Sequence, residues 1–318
     1  MGHNIDFASD GPPRELLKLE FPEVRHHLLP SYKITYPTKS IILNVGRKLG
    51  SFFLAIKNEH KKVKELVTEY KYDVIISDNR FGCYSPQTKN IFITHQINII
   101  TPTGVLDPAI RTFNYRLINK FDQCWVPDFK EFPGLSGVLG HNHTIKNCAY
   151  LGPISRMKKL KTVQKYKYAA ILSGPEPQRT KLEKEVYKEL LKLKVPSALV
   201  SGVVNPSIED LSTDKIDHFP FLTSNDLNQL ICSTEMIVCR SGYTSIMDLA
   251  KLGKKAICIP TPGQTEQEYL AKLYEEKKFF PHYKQGTLDI QKASKEIDGY
   301  TGISLDSEDR LHTVLLSI

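Results

Sequence analysis

A chain of 318 residues, 41% hydrophobic and 25% charged, has room for two α/β domains or one large one and has the composition of an ordinary soluble protein. Its net charge of +8 suits nucleic acid, an anionic membrane or a phosphorylated ligand. However, the lysines are spread along helical segments (Lys57, Lys61, Lys62, Lys64; Lys181, Lys184, Lys188, Lys192) with no aromatic stacking platform, which sets nucleic acid aside. Six isolated cysteines without a CxxC pair, no signal-like opening and no apolar run of roughly 18 residues point to reduced thiols in a cytoplasmic protein without a spanning helix.

In chain order, short apolar runs alternate with longer helical patterns, as βαβ units do. The first run, Asn4–Ala8, reads as the second strand of a Rossmann-like half, with no first strand or glycine-rich turn before it. The expectation is an amino-terminal domain short of one βα unit of roughly 30 residues, with a slot where the central strand normally lies. Leu43–Tyr70 is predicted helical, with Phe52, Phe53, Ile56, Val63, Leu66, Val67 and Tyr70 at near-helical spacing and lysines opposite. Within Ser40–Lys64, the residues Ile41, Ile42, Leu43, Phe52, Phe53, Leu54 and Ile56 accompany Arg47, Lys48, Lys57, Lys61, Lys62 and Lys64. That mixture fits a core helix with a wet basic face or a helix lying on an anionic membrane.

Strands are predicted at Asp73–Ser77, Asn90–Thr94 and Gln123–Val126. The loops after the first two, Ser77-Asp78-Asn79-Arg80 and Thr94-His95-Gln96, face the expected cleft. His95 is a candidate general base because its ordinary titration lies near neutrality, and Asp78 is the next candidate; a loop-capping histidine is the structural alternative. His141-Asn142-His143 has no third ligand at metal spacing and reads as a polar loop. A linker is expected near Tyr150–Lys167, dividing the chain into residues 1–153 and 154–318.

In the second half the predicted strands are Tyr168–Leu172, Ala198–Ser201, Met236–Cys239 and Ala256–Ile259, with a helix at Arg179–Lys194 stopped by Pro196. Ser173-Gly174-Pro175-Glu176-Pro177-Gln178-Arg179 follows a strand and opens a helix, offering main-chain N–H groups and Arg179 to an anion. Val238-Cys239-Arg240-Ser241-Gly242-Tyr243-Thr244-Ser245-Ile246-Met247-Asp248 repeats that arrangement. Thr244 and Ser245 are capping types, and Asp248 lies one turn on, placed for ribose hydroxyls or simply favoured by the helix dipole. Ile259-Pro260-Thr261-Pro262-Gly263-Gln264-Thr265-Glu266-Gln267-Glu268-Tyr269 then delivers amides and carboxylates suited to sugar hydroxyls.

These three loops, with Phe219-Pro220-Phe221-Leu222, resemble the carboxyl-terminal half of family-28 glycosyltransferases, nearest to the branch that transfers N-acetylglucosamine from UDP to make lipid II. Val238-Cys239-Arg240-Ser241-Gly242 is the most specific part, and weaker likeness runs through Tyr150-Leu151-Gly152-Pro153-Ile154. The resemblance implies a GT-B fold of two Rossmann-like domains facing a cleft. The acceptor would bind on the first domain and the UDP-sugar on the second, with inversion at the anomeric carbon and no bound metal. Carried across, Leu222 meets the base through its main chain and Asp248 holds the ribose. Gly174, Ser241, Gly242 and Tyr243 line the diphosphate, and Gln267 and Glu268 read the sugar; Ser173, Arg179, Arg240, Thr244, Gln264 and Glu266 complete the expected donor site. Two positions depart from the pattern and bear on the donor sugar: Pro175 removes an N–H, and Glu268 stands where that branch has glutamine.

The expected activity is therefore transfer from a UDP-sugar to a glycan or lipid-linked acceptor, by a protein that is cytoplasmic or peripheral on the inner face of the plasma membrane. A UDP-sugar hydrolase on the same scaffold and a catalytically incomplete nucleotide-binding subunit are the rivals.

Overall fold

The computed structural model describes residues 2–32, 41–204, 209–305 and 310–315. Two Rossmann-like halves follow one another along the chain. The first contains β1 (Asp6–Ser9), α1 (Gly11–Glu20), β2 (Arg25–Leu28), α2 (Ile41–Tyr70), β3 (Val74–Asp78), β4 (Lys89–Ile93), α3 (Asp107–Ile118), β5 (Gln123–Val126) and β6 (Cys148–Tyr150). The prolines of α1 and α3 sit at their first turns, where no intrahelical N–H bond is lost.

The strands of this half form two parallel sheets rather than one. β1 pairs with β2, and β3-β4-β5-β6 form a separate four-stranded sheet. Long side chains span the interval between β1 and β3. Tyr72 hydrogen-bonds Asp6 just before β3, and Arg80 pairs with Asp10 just after it. Leu29 of the two-stranded unit packs with Val63, Leu66 and Val67 on α2, which ties the small sheet to the larger one.

The second half contains β7 (Tyr166–Ile171), α4 (Gln178–Leu193), β8 (Ser197–Val200), β9 (Ile216–Phe219), α5 (Ser224–Cys232), β10 (Thr234–Cys239), α6 (Tyr243–Leu252), β11 (Lys255–Cys258), α7 (Thr265–Glu276) and α8 (Ile290–Glu296). Its five parallel strands lie in the order β11-β10-β7-β8-β9, so the winding direction reverses between β7 and β10. The crevice at the carboxyl ends of those two strands is where such sheets bind ligands. Continuous apolar runs build this sheet because both faces are covered. Leu182, Val186 and Leu190 of α4 are buried on one face, each contributing about 1.5–3 kcal/mol by burial. α6 ends at Gly253, whose φ of 65° supplies the left-handed residue that closes the helix.

Between β6 and β7 no regular element forms. Leu151 and Gly152 still hydrogen-bond Val126 and Asp128 of the first half, whereas Ile154 and Lys158 bond Met247 and Asn228 of the second. The last helix, α9 (Arg310–Leu315), returns to the first half and places Leu311, Val314 and Leu315 against Ile91, Trp125 and Leu151. The carboxyl-terminal residues therefore do not all stay with the second sheet. The cysteines are all thiols; Cys124 lies opposite Cys148, and Cys239 opposite Cys258, on adjacent strands.

Candidate active site

The reversal between β7 and β10 brings together loops that are far apart in the chain. Ser173 and Gly174 follow β7 and are exposed, with Gly174 at a φ of 106°, a conformation side chains disfavour. Ser241 and Gly242 follow β10, and Gly242 caps α6 with extended backbone. Ser241 Oγ donates to the Gln267 carbonyl at 2.8 Å, and Gln267 Oε1 accepts from the Thr261 N–H at 2.8 Å. The β10–α6 and β11–α7 loops are thus bonded into one wall, whereas the N–H groups opening α4 are already taken, those of Gln178 and Arg179 by the Pro175 carbonyl and that of Thr180 by Glu176 Oε2. Thr244 is exposed in the first turn of α6, and Leu222 is half-buried in the loop after β9.

Two arginines expected at the diphosphate are engaged elsewhere. Arg179 is buried and pairs with Glu176 at 2.7 Å and Glu183 at 3.0 Å, so its charge is already neutralised locally. Arg240 is fully buried beneath the loops. It donates to the carbonyls of Ile259 (3.1 Å), Pro260 (3.2 Å) and Gln178 (3.0 Å) and to Gln285 Oε1 (2.8 Å). With no carboxylate bonded to it, burial pulls its titration down to about 10. Arg240 is a brace joining three loops rather than a surface ligand. Glu268 is likewise committed, accepting the Gly263 N–H at 2.9 Å within its own loop.

Asp248 faces the interdomain segment and accepts from Ser155 Oγ at 2.6 Å. Burial raises its carboxyl above the usual range, with Ser155 and Arg156 opposing. Gln264 stands at the cap position of α7 without a side-chain cap bond, and among the described residues its Oε1 is sealed without a partner.

The first half contributes the other wall. His95 follows β4, and its Nε2 lies 2.8 Å from Glu266 Oε1 at the start of α7. The His95 ring also stacks on Tyr243, with centroids 4.2 Å apart and planes 7° from parallel. Asp78, at the end of β3, has its carboxyl raised by burial, with the neighbouring His95 acting in the opposite direction. The two candidate bases and the donor-side residues Tyr243 and Glu266 therefore meet across one cleft.

Several contacts hold that cleft, and the sequence reading had not singled them out. Tyr243 Oη donates to the Pro127 carbonyl at 2.8 Å and Thr265 Oγ1 to the Ile100 carbonyl at 2.8 Å. The Val138 N–H donates to Tyr269 Oη at 2.9 Å, and Tyr274 Oη to the Leu135 carbonyl at 2.9 Å. A tyrosine in an apolar helical pattern reads as core, and only its partner shows that its hydroxyl crosses between domains. His141 faces the carbonyls of Gly137 and Phe129 with its two ring nitrogens. Among the described residues no group of three His, Cys, Asp or Glu side chains is arranged to hold a metal.

Residues 170–301 match the family described as Glycosyltransferase family 28 C-terminal domain. A protein of Methanosarcina mazei described as an uncharacterized glycosyltransferase is 24% identical over 311 residues, covering 87% of this chain and 76% of that one. Among solved structures, the chain resembles the glycotransferase of kitacinnamycin (12% identity, 92% of this chain and 89% of that one, TM-score 0.60). It also resembles MurG of Acinetobacter baumannii (13%, 99% and 90%, TM-score 0.55) and the S. aureus MnaA–UDP co-structure (10%, 97% and 94%, TM-score 0.59). The likeness to the family-28 carboxyl-terminal domain is therefore carried by residues 170–301, the half that holds the reversed winding and its crevice, and the chain as a whole shares the two-domain GT-B fold of these structures.

Proposed function

We propose that the protein transfers a sugar, with inversion, from a UDP-linked donor to a hydroxyl of a glycan or lipid-linked acceptor. The observation that carries this reading is the meeting of His95 from the first domain with Tyr243 and Glu266 of the donor side. In this reading the uracil lies by Leu222, the ribose hydroxyls bond Asp248, and the diphosphate sits between Gly174 and Ser241–Tyr243. The amides opening α6 then stabilise the charge that develops as UDP leaves. Glu266 holds the His95 tautomer that carries its proton on Nε2, which leaves Nδ1 as the basic nitrogen. Nδ1 takes the proton of the acceptor hydroxyl, the oxygen forms its bond to the anomeric carbon, and the bond to the β-phosphate oxygen breaks.

Several exposed apolar side chains favour a lipid-linked acceptor. Phe53 and Leu54 on α2 and Val105 and Leu106 ahead of α3 are 46–79% exposed, and the Phe53 and Phe113 rings, 5.3 Å apart, join the two segments. This patch would rest on the inner face of an anionic membrane, with Lys57 and Arg111 beside it in the chain. Ser40 and the side chains of residues 41–49, including Ile41, Ile42, Leu43, Arg47 and Lys48, lie outside the described residues. Among the described residues no helix is long and apolar enough to cross a membrane.

The direct test is calorimetric titration with UDP, followed by incubation with UDP-sugars with and without lipid and glycan acceptors. Acceptor-dependent UDP release is expected. Release without acceptor would make the protein a hydrolase, binding without turnover a nucleotide-binding subunit, and no UDP binding would end the reading.

Asp248→Asn separates stability from binding. The folded carboxyl titrates above its unfolded value, so its favourable contribution is full below about pH 4 and is lost as pH rises through the folded pKa. At pH 7 the asparagine variant is expected to melt at or above the wild-type temperature, with the difference vanishing below about pH 4. UDP affinity should fall about tenfold, because a charged acceptor for the ribose hydroxyls is gone. Melting curves across pH and a UDP titration check both halves.

A further inference from the structure

Thr261, in the loop between β11 and α7, is 3% exposed, and among the described residues its Oγ1 is sealed without a hydrogen-bond partner. Its main chain is fully used: the N–H donates to Gln267 Oε1 at 2.8 Å, and the carbonyl accepts the Gln264 N–H at 3.0 Å. Only the hydroxyl is left over. For folding alone valine would serve better at this position, since it fills the same space and buries no unsatisfied polar atom. A neighbouring feature shows where the hydroxyl points. Its oxygen lies 3.6 Å from the place a β-carbon on Gly174 would occupy, under the Ser173–Gly174 turn. That turn is exposed, and neither of its residues forms a hydrogen bond among the described residues.

An unbonded, glycine-hinged turn thus covers an unbonded hydroxyl at the winding reversal of the sheet. Arg179 and Arg240, the two arginines expected at the diphosphate, are committed elsewhere. We infer that Thr261 is a diphosphate-recognition residue, donating its hydroxyl hydrogen to a phosphate oxygen of the nucleotide when the Ser173–Gly174 turn lifts. This rests on the nucleotide reading proposed above and adds a specificity contact to it. The hydroxyl acts on the phosphates and not on the nucleoside, which gives the inference its own signature.

The test is calorimetric titration of the full-length wild type, Thr261→Val and Thr261→Ser with UDP and with uridine, alongside melting of each ligand-free protein. Thr261→Val is expected to bind UDP about tenfold more weakly, to bind uridine within about twofold of wild type, and to melt at or above the wild-type temperature. Thr261→Ser, which keeps the hydroxyl, should bind UDP within about threefold of wild type. Unchanged UDP affinity in Thr261→Val overturns the inference. A lower melting temperature with equal losses for UDP and uridine also overturns it, since that is the mark of a structural residue. Wild-type protein that binds neither ligand refutes the nucleotide reading itself, and the inference with it.

Discussion

Replacing His95 by alanine is expected to lower kcat by about 10²–10⁴-fold while leaving UDP affinity within about threefold of wild type. The size follows from the loss of a positioned general base. The split between kcat and affinity follows from location. His95 extends from β4 of the first domain and touches the donor side only through Glu266 and the Tyr243 ring, so the nucleotide keeps its own contacts on the second domain. Steady-state transfer from a UDP-sugar, paired with calorimetric UDP titration, measures both quantities. A parallel fall in UDP affinity would show instead that His95 serves to hold the cleft together. Asp78→Asn is the companion variant, because burial has already raised that carboxyl towards the range of a useful base. If Asp78→Asn abolishes turnover and His95→Ala does not, the roles are reversed.

The second large effect concerns stability. Gly137 sits at a φ of 58°, at the contact between the first domain and α7. A β-carbon there would lie 2.1 Å from Tyr269 Oη and 2.8 Å from Leu273 Cδ2. Tyr269 cannot swing aside without cost, because its hydroxyl accepts the Val138 N–H. Gly137→Ala therefore combines a left-handed alanine, about 1–2 kcal/mol, with an overpacked interface, about 1–3 kcal/mol. A loss of about 2–5 kcal/mol is expected in urea unfolding. Turnover should fall with it, since the displaced helix carries Glu266 and Gln267 at its start. Adding Tyr269→Ala to Gly137→Ala removes the tighter overlap but leaves the one with Leu273 Cδ2 and the backbone strain. The double variant should regain activity relative to what the two single losses predict, and strict additivity would show that the clash is not the cause.

Much of the fold was legible because long apolar runs and helical periodicity report burial directly. Met236–Cys239 falls within the observed β10, Ala256–Ile259 is offset by one residue from β11, and Arg179–Lys194 lies within one residue of α4 at each end. Strands β2 (Arg25–Leu28), β6 (Cys148–Tyr150) and β9 (Ile216–Phe219) were not visible. Each is only three or four residues long and carries polar or mixed side chains, so its strand state comes from a neighbouring strand and not from its own preference.

The site divides along the same line. The strand–turn–helix around Ser241-Gly242-Tyr243 is local and was expected from sequence, but the capping expected of Thr244 and Ser245 does not occur: α6 starts at Tyr243 with Gly242 as its cap and no side-chain cap bond. The sequence also placed three such loops after strands, and so made a shared crevice an expectation. Only the tertiary structure decided which side chains were left for chemistry. Arg179 went to Glu176 and Glu183, and Arg240 to carbonyls of three loops, because a buried charge must be paired or hydrogen-bonded before it can serve anything else. His95 met Glu266, 171 positions away, and Thr261 kept an unbonded hydroxyl. Pairings over such separations depend on how two domains pack, and residue types in one segment carry no record of the partner they will find.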